Sequence, residues 1–281
     1  MTAPATIFIL VITGVTTLIA FQRRDLWERW MFKPYEILRH KQIERMVTSG
    51  LIHLDWMHFA LNAYSFYSFG RNIELFYGTR TLLIIYVASI VGGSLLSLFI
   101  HRHHDYRALG ASGGVCGIIF ASIFLLPGGR IGMFLLPIMV PADVYAIAFL
   151  LLSFFAMRRG IGNIGHDAHL GGAIVGLLVA AALYPSLVFA TPKMFCVVLG
   201  ISIAILLIVV FEPFHRLNFQ FGSREDPVGG DRERRYAENR QRNRKLAEID
   251  RLLDKVSEQG IHSLSDSERR KLDELSKELG R

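Results

Sequence analysis

Seven long apolar runs follow one another along this chain of 281 residues. Their approximate bounds are 5–21, 54–76, 81–100, 112–126, 142–157, 168–184 and 194–211. About 20 apolar residues are enough for a helix to cross a bilayer, so these runs predict membrane helices. The composition agrees, with 52% hydrophobic residues and a mean hydropathy of +0.36. We therefore predict an all-α, polytopic membrane helix bundle.

The ends of two runs carry further information. The first run has no basic residue before it but is followed by Arg23 and Arg24, the reverse of a cleaved signal peptide, so we expect a retained helix. The fourth run is short for a full span and is closed by Pro127. We expect its other end, which carries Ser112, to stop below the membrane surface.

The connecting segments differ in character. Residues 22–49 mix aromatic and basic side chains, which is typical of a structure at the membrane interface. Residues 130–141 are also predicted to be interfacial, and Pro137 with Pro141 argues against a straight helix there. We predict a tight turn at 77–80, a glycine-rich loop at 158–167 and a connection at 185–193.

The expected domain organisation has four parts. Residues 1–185 form a six-helix membrane core, and residues 186–212 add a seventh transmembrane helix. A basic juxtamembrane linker covers 213–245, and a small soluble helical hairpin covers 246–281. In that tail, Gly260 is predicted to end one helix, and Ser265 with Glu268 has the spacing of a capping box that opens the next.

Charge and cysteine content limit the classes of function. The formal net charge is +7, with much of the excess after residue 215. In a membrane protein such basic segments more often mark contact with anionic lipid than with nucleic acid. We therefore expect a lipid bilayer and no nucleic acid among the partners. Cys116 and Cys196 both lie in apolar runs and indicate no disulfide framework.

Small residues recur at a spacing of four on two of the predicted helices. The pairs are Gly113 with Gly117 on the fourth helix and Gly172 with Gly176 on the sixth. Such strips let two backbones approach closely in lipid. Contact between them would bring Ser112 and His169 to the same end of the helix pair. A serine whose proton a neutral histidine can accept is a competent nucleophile.

A serine nucleophile also needs donors for the developing oxyanion. His58 and Asn62 are four residues apart and share one helix face, and the backbone N–H of Ser112 is a third donor. Taken singly, each of these side chains also fits a structural role, His58 and Asn62 as an interhelical polar clamp and His169 as a core histidine. Their combination with Ser112 favours catalysis.

These residues resemble the motifs of the rhomboid intramembrane serine proteases over residues 5–185. The motifs read Arg45-Met46-Val47-Thr48; His53, His58 and Asn62; Gly110-Ala111-Ser112-Gly113; and Ala168-His169 with Gly172 and Gly176. Two positions depart from the family pattern. Glu44 stands where a tryptophan is usual, and Cys116 stands where some members carry an aromatic beneath the histidine.

The resemblance implies a serine endopeptidase that cleaves single-span membrane proteins through an acyl-enzyme on a Ser112–His169 dyad. It implies an oxyanion hole from His58, Asn62 and the Ser112 amide, a supporting role for His53, and loop support from Arg45. The helix-packing residues are then Gly110, Gly113, Gly117, Gly172 and Gly176. No cofactor or metal is expected, and the expected location is the bacterial inner membrane.

Other functions and both orientations stay open at this point. A non-catalytic relative that binds membrane helices is the main alternative. A metal protein is suggested by the histidines, although His53 and His58 lack metal-ligand spacing. A transporter is weaker, because no inverted repeat is visible. The family's usual orientation would leave the basic tail outside, against the positive-inside tendency, so the sequence predicts no orientation.

Overall fold

The computed structural model describes residues 2–103, 105–132, 139–159, 165–211, 245, 248–257 and 260–279. The chain divides into two compact units, one of Met1–Arg102 with Tyr106–Phe219, and one of His103–Asp105 with Gln220–Arg281. The helices and strands of the first are α1 (Pro4–Gln22), α2 (Arg24–Trp30), α3 (Pro34–Arg39), α4 (Arg45–Thr48), a 3-10 turn (Ser49–Leu51), α5 (Trp56–His101), α6 (Ser112–Leu125), β1 (Arg130–Gly132), β2 (Met139–Pro141), α7 (Ala142–Arg159), α8 (His166–Leu183), α9 (Pro185–Ala190) and α10 (Pro192–Phe211).

Four of the described helices are long and apolar enough to cross a membrane, namely α1, α5, α8 and α10. Shorter apolar stretches are α6 and the Ala142–Phe155 part of α7. Helix α5 has 46 residues. At 1.5 Å per residue it is about 69 Å long, more than twice the hydrocarbon thickness of a bilayer. Gly78 interrupts it with a φ of +85°, which only glycine adopts easily, so α5 consists of two spans. The predicted polytopic helix bundle is confirmed.

Helix α6 is the centre of the bundle. Every residue from Gly113 to Leu125 is buried, and α5 and α8 pack against it most extensively. A helix that is apolar on all sides is expected to be enclosed by protein in this way. With 14 residues, α6 is about 21 Å long and cannot cross the full hydrocarbon layer.

Helices α6 and α8 run parallel, with backbone against backbone. A Cβ added at Gly172 would lie 1.9 Å from the carbonyl oxygen of Gly113, and one added at Gly176 would lie 2.4 Å from the Cα of Gly117. Because these neighbours are backbone atoms, no side-chain movement could make room. The same contact brings Gly113, next to Ser112, against the carbonyl of Ala168, next to His169.

Helix α1 is attached at both of its ends, to α5 at its start and to the segment just before α5 near its other end. At the start, the buried carboxylate of Glu74 accepts hydrogen bonds from the backbone N–H groups of Ala5 (2.9 Å) and Thr6 (2.8 Å). It thereby caps a helix N-terminus, where negative charge is favourable. Near the other end, Thr16 donates to the carbonyl of Leu51, and Thr17 contacts the ring of His53.

Several connecting segments differ from the sequence prediction. Residues 22–49 contain three short helices, α2, α3 and α4, and their position at the membrane interface stays a prediction. Helix α9 occupies the connection predicted at 185–193. In the 130–141 segment, β1 and β2 pair in antiparallel register, with Arg130 opposite Pro141. Pro137 lies outside the described residues. Helix α8 begins at His166 instead of Ala168, so part of the predicted glycine-rich loop is helical.

The second unit contains a helical hairpin of α11 (248–257) and α12 (Asp266–Leu279). The predicted capping box is present, since Ser265 N donates to the Glu268 carboxylate (2.9 Å) and Glu268 N donates to Ser265 Oγ (3.3 Å). Gly260 follows α11 with a φ of +79°. The predicted linker at 213–245 lies outside the described residues, except for Lys245.

We predict that Gly172→Ala destabilises the bundle, because the new methyl group meets the Gly113 carbonyl. Overpacking of this kind costs roughly 1–3 kcal/mol or more in unfolding free energy. The matched control is Gly200→Ala in α10, where an added Cβ meets no atom within 4 Å. Its stability should stay unchanged or rise slightly, since alanine favours helix. Thermal unfolding of both variants in detergent measures the difference, and equal unfolding temperatures would contradict the packing described above.

Candidate active site

Ser112 is the first residue of α6. The loop before it is hydrogen-bonded to residues 22–49, which we call the first connecting segment. Gly110 N donates to the carbonyl of Ser49 (2.9 Å), and Phe32 and Ala108 exchange backbone hydrogen bonds of 2.9 and 3.1 Å. The first N–H groups of a helix have no partner within the helix. The loop therefore holds Ser112 in place while the first-turn amides stay available to a ligand.

Gly110 has a different role from the other glycines of the predicted packing set. It precedes α6 and has a φ of +122°, a conformation that L side chains rarely adopt. A Cβ at this position would lie 2.5 Å from Cε1 and 2.9 Å from Nε2 of His58. Because Gly110 has no side chain, the His58 ring can lie against the backbone of Gly110, two residues before Ser112. Gly110 therefore accommodates the His58 ring and does not pack one helix against another.

His53 joins α1 to the loop before Ser112. Its Nε2 accepts a hydrogen bond from the backbone N–H of Ala111 (3.4 Å), and its Nδ1 lies 3.1 Å from Thr17 Oγ1. An Nε2 that accepts from an N–H carries no proton, so the ring is neutral and Nδ1 donates to Thr17. Burial lowers the pKa of His53 to about 3, with a smaller contribution from nearby His58.

Asn62 and His58 lie on the same stretch of α5. Asp55 caps this helix by accepting from His58 N (2.7 Å), and Asn62 Nδ2 donates to the carbonyl of His58 (2.9 Å). An amide nitrogen has two hydrogens, so Asn62 keeps a second N–H for a ligand. His53 and His58 meet edge to face, with ring centroids 5.2 Å apart.

His169 lies in the first turns of α8. Its Nε2 is buried and has no hydrogen-bond partner among the described residues. Buried polar atoms are nearly always paired, and exceptions often mark functional groups. Phe149 of α7 packs beside the ring, with centroids 6.3 Å apart, while Cys116 is buried in α6. No motif or spacing in the sequence indicated that α7 supplies an aromatic neighbour to this histidine.

A cavity of about 40 Å³ opens beside Ser112. Its walls include the hydroxyl-bearing residues Ser49, Ser94 and Ser97 together with several glycines. A buried water needs roughly 10–15 Å³ of such space and two to four polar partners, so the cavity has room for a few waters. Water can therefore be held next to the serine within an otherwise apolar bundle.

Arg45 holds parts of the first connecting segment together by hydrogen bonds. It is 6% exposed and donates to the carbonyls of Glu28 (2.8 Å) and Met31 (2.7 Å) and to the Gln42 side chain (2.6 Å). Burial lowers the pKa of its guanidinium. Its contacts are with the connecting segment and not with Ser112 or His169. Within the described ranges, no group of three or more His, Cys, Asp or Glu residues is placed to hold a metal ion.

The sequence model of the Rhomboid domain family matches residues 40–186, slightly more than half of the chain. This chain belongs to the rhomboid family. The resemblance to this family that the sequence motifs indicate is thereby confirmed. Residues 232–278 match a second model, DUF6576, which describes a family of unknown function.

Curated relatives agree with this assignment. The RHOMBOID-like protein 12, mitochondrial, of Arabidopsis thaliana is 32% identical, over 50% of this chain and 47% of its own length. The rhomboid protease GluP of Bacillus subtilis is 30% identical, over 61% of this chain and 30% of its own length. The rhomboid protein 1, mitochondrial, of Saccharomyces cerevisiae is 26% identical, over 54% of this chain and 47% of its own length. The matches thus span less than half of each relative.

We predict that acid weakens the fold through His53. Because the pKa of this ring is about 3 in the folded protein and 6.5 when exposed, the unfolded chain binds more protons between these values. The stabilisation is complete above pH 6.5 and is lost as the pH falls toward 3. This difference between the two pKa values corresponds to a loss of roughly 4–5 kcal/mol at most in the free energy of unfolding. His53→Gln should be less stable at pH 7 but should lose less stability between pH 7 and pH 4. The prediction is contradicted if the unfolding free energies of the wild-type chain and of His53→Gln fall in parallel between pH 7 and pH 4.

Proposed function

We propose that this chain is an intramembrane serine endopeptidase that cleaves membrane helices with a Ser112–His169 dyad. The observation that carries the proposal is the backbone contact between α6 and α8, which brings the neighbours of both residues together at one end of two parallel helices. The buried, unpartnered Nε2 of His169 gives this end a proton acceptor. Intramembrane protease or rhomboid-like activity is also what family membership supports.

The proposed reaction has two halves. The Ser112 hydroxyl gives its proton to His169 Nε2 as its oxygen bonds to the scissile carbonyl carbon. The resulting oxyanion is stabilised by the Ser112 amide, His58 and the second N–H of Asn62. The C–N bond then breaks, and His169 returns the proton to the leaving amine. A water from the cavity hydrolyses the acyl-enzyme, with His169 again acting as the base.

Single-span membrane proteins are the proposed substrates, with cleavage at small residues near the bilayer surface. The cavity supports this preference, because its volume of about 40 Å³ has room for a small side chain but not for a bulky one. The short α6 also supports it, because a helix of about 21 Å leaves one end below the surface, where a partly unwound substrate helix meets water.

The protein is a multi-pass integral membrane protein. Its location in the bacterial inner membrane stays a prediction, because the relatives include mitochondrial proteins of plant, yeast and vertebrate origin as well as a Bacillus protein. Expression of the full chain with a fluorescent tag, followed by fractionation of the source cells, tests this prediction.

We predict that Ser112→Ala lowers the cleavage rate at least about a thousandfold, since removal of a nucleophile leaves only background catalysis. His169→Asn should have a similar effect. The matched control is Ser122→Ala, which removes another hydroxyl from α6. The measurement uses purified full-length protein and a panel of single-span membrane substrates.

Labelling by a serine-reactive fluorophosphonate provides a second readout. The wild-type chain and Ser122→Ala should be labelled at Ser112, and Ser112→Ala should not. A folded wild-type chain that neither cleaves nor labels would contradict the proposal and favour the alternative, a non-catalytic rhomboid-like protein that binds membrane helices.

A further inference from the structure

A second polar cluster lies beside the proposed dyad, and the carboxylate at its centre has no part in the reaction proposed above. At its centre is Asp167, which is 4% exposed. The carboxylate accepts hydrogen bonds from Ser97 Oγ and from the Tyr106 hydroxyl (3.4 Å), and it faces His101 Nε2 at 3.4 Å. We call these four residues the Asp167 cluster.

The Asp167 cluster joins three parts of the chain. Ser97 and His101 lie in the last turns of α5, Tyr106 lies in the loop that leads to Ser112, and Asp167 lies in the first turn of α8, two residues before His169. The segment that presents the nucleophile and the turn that presents the base therefore share one anchor.

Aromatic contacts hold Tyr106 in this position. Its ring stacks flat on the His101 ring, with centroids 3.7 Å apart and planes 3° apart. It also meets the Phe32 ring edge to face, with centroids 6.2 Å apart. A Cβ added at Gly165 would lie 3.0 Å from the Tyr106 hydroxyl, so the chain before α8 also passes close to this ring. The orientation of Tyr106 is thus restricted from several sides.

The energetics favour one arrangement of the cluster. A buried carboxylate is costly unless it is paired, and the loss of one partner of a buried charge is strongly destabilising. Asp167 also lies in the first turn of α8, where the helix dipole stabilises negative charge. Movement of either the Tyr106 loop or the start of α8 would separate the carboxylate from its donors.

We propose that Asp167 is a positioning residue, which fixes the start of α8 and the loop before Ser112 relative to each other. This inference rests on the proposed proteolytic function. The Asp167 carboxylate is engaged by Ser97, Tyr106 and His101 and does not bond to His169. Its proposed effect on the reaction is to hold the backbone segments that carry Ser112 and His169, and it thereby sets the geometry of proton transfer between them.

Displacements of about 1 Å at a reacting centre lower rates by up to about a hundredfold. We therefore expect Asp167→Asn to lower both kcat and the rate of fluorophosphonate labelling about 10- to 100-fold, with KM within about twofold. Tyr106→Phe, which keeps the ring stacking, should lower both rates by a smaller factor. All rates are measured well below the unfolding temperature of each variant.

The matched control is Glu74→Gln, which changes another buried carboxylate with several donors, at the opposite attachment of α1. It should lower the unfolding temperature but leave the labelling rate of the folded protein unchanged. A double variant of Asp167→Asn and Tyr106→Phe should react no more slowly than Asp167→Asn alone, because the hydroxyl acts through the carboxylate.

The outcomes separate the two proposals. Normal labelling rates in both Asp167→Asn and Tyr106→Phe, beside an active wild-type chain, would overturn the positioning role and leave the proposed function intact. The positioning role would also be overturned if the labelling rate of the Glu74→Gln control fell to the same extent as that of Asp167→Asn. A wild-type chain that neither labels nor cleaves would overturn the proposed function and the positioning role together.

Discussion

The contact between the glycine faces of α6 and α8 is the interaction on which the rest of the structure depends. Within a bilayer, lipid tails are as apolar as leucine side chains, so helices gain little from hydrophobic burial and associate through close packing. The carbonyl of Gly113 fills the space that a side chain at Gly172 would need. This proximity sets the positions of Ser112 and His169, since both follow directly from the register of the two helices.

Around that contact, the polar groups near the serine are each held by a partner from another element. His53 is held by α1 and the loop before α6, and it is neutral because its burial disfavours the charged form. Gly110 lets the ring of His58 approach that loop. The site is therefore built by packing of the first connecting segment and α1 against the central helices, and not by α6 and α8 alone.

Hydropathy predicted the helices to within a few residues, because the thickness of the bilayer imposes their length. Motif spacing also identified the glycine pairs, since a helical period places them on one face. The Asp167 cluster could not be found in this way, because the donors of its carboxylate lie 61 and 70 residues away in the chain. Likewise, no local pattern distinguishes Gly110, which needs a positive φ, from a glycine that packs helices.

The enclosure of α6 from Gly113 to Leu125 has a consequence for biosynthesis. Translation produces this helix before α8, so for a time its small-residue face has no partner from its own chain. During that interval the face is covered by lipid or by the insertion machinery, and the cavity beside Ser112 lacks one wall. The nascent protein thus passes through a stage without His169, and the proposed dyad is complete only when the ribosome has delivered the sixth span.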